Sequence, residues 1–511
     1  MNPNARAKSL YGARGAVVSG HHLATLAASD ILRQGGSLID AVIASSAVLT
    51  VALPHTSSMG GCAMLLYFDA ATGRTHALNG SGKAPLAADR AMFERMPQRG
   101  SRSWLTPALV RFWARAYGRF GALPWPGLFE PAIALARQGL ACPEELARNL
   151  ARADDSLLSQ PGFREAFLPR GDRLSAGDML VQSRVADVLS EIADKGEDGF
   201  YKGWVADSLL AFSASTEGLL SAEDLEGASA DWVSPLAMAA GDVGVQVMPP
   251  NSSGWIMLEQ LRRNWGGGLE VRATQDKASA MADAILAAID VIAHKDRDPQ
   301  EVMEAYAAGH AGECALPVKH RFSAEPGDTT GFVAMDAQGN AVSMLQSIFQ
   351  PFGSGCVDPG TGIIFNNRMY DFSLSEDSPN RLRPGQRPVH TLNPYLVMRR
   401  EKLVMAGVSP GGVSQTTTGF QVIDHAMRSG MSLGAVVSEP RWSLGRDGTV
   451  LLEEGIDGRV AQRLRERGLT VVENSAHEFY FGSVKAVRAL EGGRMLEAAA
   501  DPRRQAHAIV W

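Results

Sequence analysis

Strand-like runs gather at the two ends of this chain and helical periodicity fills the stretch between them, so the ends must contribute strands to common sheets. The first 90 residues read as strand, helix, helix and hairpin; roughly Thr106 to Glu313 is mostly helical by pattern; from Gly331 short strands and hairpins return, with one helix and a mixed tail. This order predicts a layered α/β or α+β sandwich whose sheet strands come from both halves. With 511 residues, 45% of them hydrophobic, the chain can bury a large core, and length alone allows two to four domains. No repeat and no low-complexity linker divides it.

Local signals punctuate the pattern. "HLATLAASDILRQGG" has apolar residues at helical spacing and stops at Gly35-Gly36, while Ser37 with Asp40 forms a box that can start the next helix. Thr72-Gly73 joins two strand-like runs as a hairpin turn. "PWPGLFEPAIALARQG" and "MADAILAAIDVIAHK" are the clearest helices of the middle, which the turn-rich "VMPPNSSGW" interrupts at Met248 to Trp255. The longest apolar run, from Leu38, carries Asp40 and predicts a buried helix rather than a membrane span.

Charge and motifs exclude several function classes. The 49 basic and 55 acidic residues give a net charge of -6 and are interleaved, so no basic face awaits phosphates and nucleic acid is not an expected partner. "MNPNARAKSLYGARG" has no apolar core of a secretory signal, and the expected compartment is the cytoplasm. Cys62, Cys142, Cys314 and Cys356 form no C-x-x-C pair, which fits free buried thiols rather than disulfides or zinc. The eleven histidines contain no H-E-x-x-H, and His21-His22 read as structural. G-x-G-x-x-G after a strand, a P-loop and G-x-S-x-G at a strand-to-helix turn are all absent, and no metal or organic cofactor is expected.

Two stretches carry chemistry. In "GDTTGFVAMDAQGNAVSMLQS", Phe332, Ala334, Val342 and Met344 alternate with their neighbours and "DAQGN" turns the chain, placing Thr329 at the first residue of a strand. A threonine hydroxyl needs a base beside it to act as a nucleophile. Its own α-amino group, with a pKa of about 7.7–8.0, can serve once the preceding peptide bond is cut. Taken alone, the pair reads first as β-branched residues opening a strand. In "KLVMAGVSPGGVSQTTTGFQVIDHAM" a strand runs into Ser409-Pro410-Gly411-Gly412 and a helix follows. Amides at such a turn can hold an oxyanion, and a plain strand-to-helix connection has the same look.

Together with "VMPPNSSG" at Val247, "GARGAVVSGHHLATLAASDILRQGGSLIDAVIA" from Gly12, "NNRMYDFS" at Asn366 and "EPRW" at Glu439, these stretches resemble the γ-glutamyltransferase family across nearly the whole chain, in the family's own order. The resemblance implies an α+β fold, the four-layer αββα sandwich of N-terminal nucleophile hydrolases, formed as one domain. It implies autocleavage between Asp328 and Thr329, giving a large chain of residues 1–328 and a small chain of residues 329–511 that remain a heterodimer. It also assigns roles: Thr329 the nucleophile, Ser347 the hydroxyl that contacts its amino group, Gly411 and Gly412 the oxyanion pair, and Asp371 the acid that holds a donor's amino group.

Departures from the family accompany these matches. Ser81 stands where the family has a carboxylate-gripping arginine, with Lys83 nearby, and Lys does not replace a bidentate fork. His390-Thr391 replace paired serines, Phe349 replaces an asparagine, and Arg368 replaces a glutamine and could restore the missing charge. The short "LSEDSPNRLRPGQ" between "DFS" and "RPVHT" implies an open site. The pattern is similar to the non-transpeptidase branch, with its oxamate amidohydrolase and β-lactam side-chain acylases. A small amide is the implied substrate, whether oxamate, a γ-glutamyl compound such as glutathione, or an acyl β-lactam. A non-catalytic, uncut binding protein is the alternative from another class.

Overall fold

The computed structural model describes residues 6–169, 171–266, 276–295, 297–307, 329–445, 448–475 and 481–511. Asp328 and Cys314 lie outside these residues. The organising element is the hairpin of Thr329–Asp336 and Ala341–Ser347, paired in register from Thr329 opposite Ser347 to Met335 opposite Ala341. Its turn closes where Asp336 Oδ1 accepts the amides of Gln338 at 3.0 Å and Asn340 at 2.9 Å, and Gly339 takes φ +88°.

Two seven-stranded sheets stack face to face. The first runs His507–Val510, Gly15–Ser19, Thr329–Asp336, Ala341–Ser347, Cys62–Asp69, Arg74–Gly80 and Asp231–Val233. The second runs Leu10–Gly12, Met495–Ala500, Lys485–Leu490, Lys402–Val408, Tyr395–Arg399, Val243–Val247 and Leu236–Ala240. Each sheet therefore takes strands from both sides of Thr329, as the order of the sequence pattern requires.

Three apolar layers separate four layers of secondary structure. Val18, Met64, Leu66, Val333 and Leu345 meet Leu396, Ala406, Val408 and Val487 between the sheets. Phe332, Ala334, Val342 and Met344, on the other face of the hairpin, pack under the helices Leu38–Ala52 and Leu109–Phe120. On the far side Val245, Val397 and Met405 pack against Gly254–Trp265, Lys277–Ala293 and Ser414–Arg428. The hairpin alternation seen in the sequence thus sorts two buried faces, one toward helices and one toward the second sheet.

The helix Leu38–Ala52 is buried along all 15 residues. Ser37 and Asp40 form its capping box, and Asp40 Oδ2 also accepts the amides of Ala122 at 3.0 Å and Leu123 at 3.1 Å, which satisfies a buried carboxylate. Among the described residues no helix is long and apolar enough to cross a membrane. His21 caps the helix His22–Arg33, its Nδ1 accepting the Leu23 amide at 3.3 Å. Cys62, Cys142 and Cys356 are buried free thiols. The mostly helical middle also contains the short strands Asp231–Val233, Leu236–Ala240 and Val243–Val247, which the sequence pattern hid because each is only three to five residues long.

Candidate active site

The hairpin sets Thr329 and Ser347 side by side at the open end of the ladder. Thr329 is 3% exposed, and its Oγ1 donates to Ser347 Oγ at 3.0 Å. Ser347 Oγ also accepts the Phe349 amide at 2.8 Å, so its orientation is fixed from two sides. Thr330 points the other way: its buried hydroxyl lies where a Cβ on Gly20 would sit 2.1 Å from Oγ1, leaving room only for glycine at position 20.

Strand, glycine turn and helix follow one another in the order the sequence pattern gives. Lys402–Val408 ends before Ser409, and Ser414–Arg428 follows as a helix with no side-chain cap. Gly411 and Gly412 take φ +136° and +59°, which L-residues with a Cβ rarely adopt, and their carbonyls accept the amides of Ser414 and Gln415, both at 3.1 Å. Ser409 Oγ accepts the Ser483 amide at 3.2 Å and braces the turn from the neighbouring segment.

A second cluster adjoins Ser347. The Cys62 sulfur lies 3.4 Å from the Ser347 carbonyl oxygen and 3.2 Å from His390 Nε2. His390 Nδ1 accepts the Leu392 amide at 3.2 Å, which assigns the ring proton to Nε2 and directs it at the sulfur. Burial, with the positive charges of Arg368 and Arg387, holds His390 well below the usual histidine range, so the ring is neutral. Burial also pushes the Cys62 thiol up to about 11, with Arg368 opposing. Neither group is a base or nucleophile near neutral pH.

Arg368 sits on a short helical turn, Arg368–Asp371, and is 1% exposed. Its Nη1 donates to Asp371 Oδ2 at 2.9 Å and to Thr391 Oγ1 at 3.2 Å, and its Cζ lies 3.9 Å from the centre of the Phe349 ring. Phe349 is held at φ +83°, a strained value for an aromatic residue. Asp371 borders a cavity of about 930 Å³, whose wall also carries Arg95, Arg99, Lys295 and Tyr370. Ser81 belongs to a separate polar knot: its hydroxyl donates to Asn79 Oδ1 at 2.7 Å and accepts from Asn251 Nδ2 at 3.3 Å.

The fold thus joins Thr329, Ser347, Phe349, Arg368, Asp371 and Thr391 through successive contacts, with Cys62 and His390 packed behind. Sequence reasoning did not find Cys62 as a neighbour of Ser347. That contact comes from the pairing of Cys62–Asp69 with Ala341–Ser347, where Cys62 faces Ser347 across 285 residues of chain, and no local signal marks it.

Comparison with known proteins identifies the fold and the family. The Gamma-glutamyltranspeptidase family profile matches residues 24–511. An oxamate amidohydrolase proenzyme of Klebsiella pneumoniae is 32% identical, covering 96% of this chain and 97% of its own. A glutathione hydrolase-like proenzyme of Bacillus subtilis is 30% identical, covering 98% and 99%. The crystal structure of a cephalosporin acylase from Bacillus halodurans superposes with a TM-score of 0.89 at 28% identity, covering 100% of this chain and 98% of that one. With the stacked sheets, the hairpin threonine and the glycine turn in place, this chain belongs to the γ-glutamyltranspeptidase family.

Proposed function

We propose that the protein is a self-processing amidohydrolase in which Thr329, freed at its amino end by cleavage after Asp328, is the nucleophile. The observation that carries the reading is the pairing of the Thr329 hydroxyl with Ser347 Oγ at 3.0 Å at the start of the central strand Thr329–Asp336. The new α-amino group takes the hydroxyl proton as Oγ1 attacks the carbonyl carbon of a small amide. The amides of Gly411 and Gly412 hold the oxyanion, and glycine at both positions allows the acyl carbon to approach the main chain closely. Collapse of the tetrahedral intermediate expels the amine, which leaves with the proton from the α-ammonium. Water then attacks the ester by the same route and releases the acid. Ser347, oriented by the Phe349 amide, positions the attacking group.

The names of the relatives supply the candidate substrates: oxamate, glutathione and the acyl side chain of a cephalosporin. All three are amides opened by one acyl-transfer scheme. The two pieces would stay together as a heterodimer, because separating them strips strands from both sheets.

The test is the intact mass of the purified protein beside its Thr329→Ala variant. Pieces of about 35 and 20 kDa, from sharing 54.5 kDa in proportion to length, are expected, the smaller beginning at Thr329 and the variant uncut. A single uncut chain after long incubation would leave Thr329 without its base and end this reading.

A further inference from the structure

The turn that carries Gly411 and Gly412 is held from behind by the segment 481–485. Ser409 Oγ donates to the Pro410 carbonyl at 3.1 Å and accepts the Ser483 amide at 3.2 Å. The Pro410 carbonyl and the Gly411 N–H belong to one planar peptide, so a bond that fixes the carbonyl also fixes the direction of the N–H. The same bond polarises the peptide and makes its N–H a stronger donor. That N–H has no acceptor among the described residues, which leaves it free for an oxyanion. Gly482, at φ +84°, lies so close that an added Cβ would stand 2.5 Å from Ser409 Oγ and 3.0 Å from the Pro410 oxygen, so the segment reaches the turn main chain against main chain.

A buried ammonium ends this chain of bonds. Lys485 opens the strand Lys485–Leu490 opposite Val408, the last residue before Ser409. Its Nζ donates to the Ser483 carbonyl at 3.0 Å and to Ser483 Oγ at 3.1 Å, and Ser409, Ser483 and Lys485 are all buried. Burying a charge is costly, and a Met of similar length would fill the space without that cost, so packing does not account for the ammonium. Its charge reaches Glu145, on the other side of Thr329, which pairs with Arg504 at 3.4 Å. Burial works against the Glu145 carboxylate, but its neighbour His55 and the charges of Arg504 and Lys485 outweigh it and hold the group at about 2. Val484 is clamped as well, its amide donating to Asp501 Oδ2 and its carbonyl accepting the Asp501 amide, both at 2.9 Å.

We infer that Lys485 and Ser409 are positioning residues for the oxyanion: Lys485 fixes Ser483, the Ser483 amide fixes the Ser409 hydroxyl, and that hydroxyl, bonded to the Pro410 oxygen, aims and strengthens the Gly411 N–H toward the substrate's carbonyl oxygen. The inference rests on the acyl-transfer reading of Thr329 and Gly411. Neither side chain touches the substrate. Both act through one peptide group, so their effects belong to a single relay and do not add.

The experiment follows hydrolysis of p-nitrophenyl acetate, whose acyl group needs no charged subsite, by processed protein counted per active site from its acyl burst. Ser409→Ala and Lys485→Met should each lower kcat about fivefold to tenfold with KM within about twofold of the original, and the double variant should lose no more than about the larger single loss. A merely structural role would lower Tm and the number of active sites but leave kcat per site unchanged. That result, or losses that multiply in the double variant, would overturn the assignment. Should Lys485→Met not fold, Ser483→Ala, which removes one of the two Lys485 contacts and leaves the backbone bonds, takes its place with an expected loss of about threefold, and no loss would strike Lys485 from the relay. Hydrogen exchange read by mass spectrometry decides the point without turnover: the Ser414 and Gln415 amides, bonded to the Gly411 and Gly412 carbonyls at 3.1 Å, should exchange about fivefold faster in both single variants. Unchanged exchange in folded variants would overturn the relay. An uncut protein that hydrolyses no ester but shows the faster exchange would refute the nucleophile and leave the relay standing.

Discussion

Each side chain of the candidate site is defined by what its neighbours leave it free to do. Ser347 is the sharpest case, since its hydroxyl takes one hydrogen bond from the Phe349 amide and one from Thr329 Oγ1. Ser347→Ala removes an interaction of about 1–1.5 kcal/mol, so kcat/KM is expected to fall about tenfold, with Ser347→Thr retaining most of it; steady-state kinetics on processed protein would check this. The proposed base, the α-amino group of Thr329, acts only when neutral, so kcat/KM should rise with pH through the α-amino range of about 7.7–8.0 and then level off. His390, held neutral far below that range, adds no limb near neutrality, and a pH–rate profile with a second rise between pH 5 and 7 would contradict this. The sequence named Thr329, Ser347, Arg368, Asp371 and Thr391. It could not say that Asp371 and Thr391 share the Arg368 guanidinium, because Thr391 is 23 residues away in the chain and reaches it only through the fold.

Elements explain why those side chains sit where they do. The capping box of Ser37 and Asp40 was legible because it is local, and its partners are three residues apart. Ser37→Ala should lower stability by about 1 kcal/mol, seen as an earlier midpoint in urea with activity intact, since the helix it starts packs beneath the hairpin rather than touching substrate. The glycine turn is the opposite case: Gly411→Ala forces a Cβ into φ +136° and should cost at least tenfold in turnover while the fold and the self-cleaved mass pattern are checked in parallel. The strands between Asp231 and Val247 were invisible in the pattern because three to five residues give too little alternation to stand out from turns.

At the scale of the whole molecule, the two sides of Thr329 are interwoven by sheets and by buried charges. Arg504, near the C-terminus, pairs across that division with Glu145 at 3.4 Å, while on the C-terminal side alone Asp501 bridges Arg441 at 2.6 Å and Arg503 at 3.1 Å, with Arg503 continuing to Glu453 at 2.6 Å. Burial works against the Asp501 carboxylate, but Arg441 and Arg503 outweigh it and hold the group at about 2, below its usual 3.8. The Asp501 contribution is therefore complete above pH 4 and is lost as pH falls toward 2. Denaturation midpoints should fall in two stages, first below about pH 6.5, where the buried neutral histidines His21 and His390 take up protons on unfolding, and again below pH 4, and Asp501→Asn should remove about 3 kcal/mol at neutral pH while shallowing only the second drop. After cleavage the two pieces should co-elute on size exclusion and separate only in denaturant. What the sequence determined by itself was local or cumulative: the alternation of the hairpin, the caps and turns, and the order of strands and helices, each set by residues within a few positions of one another. Tertiary structure alone decided which of the named side chains share partners. The Cys62 contact with Ser347, the sharing of Arg368 between Asp371 and Thr391, and the Arg504–Glu145 pair all depend on where separate stretches of chain meet, and that meeting is fixed by the packing of two sheets against each other.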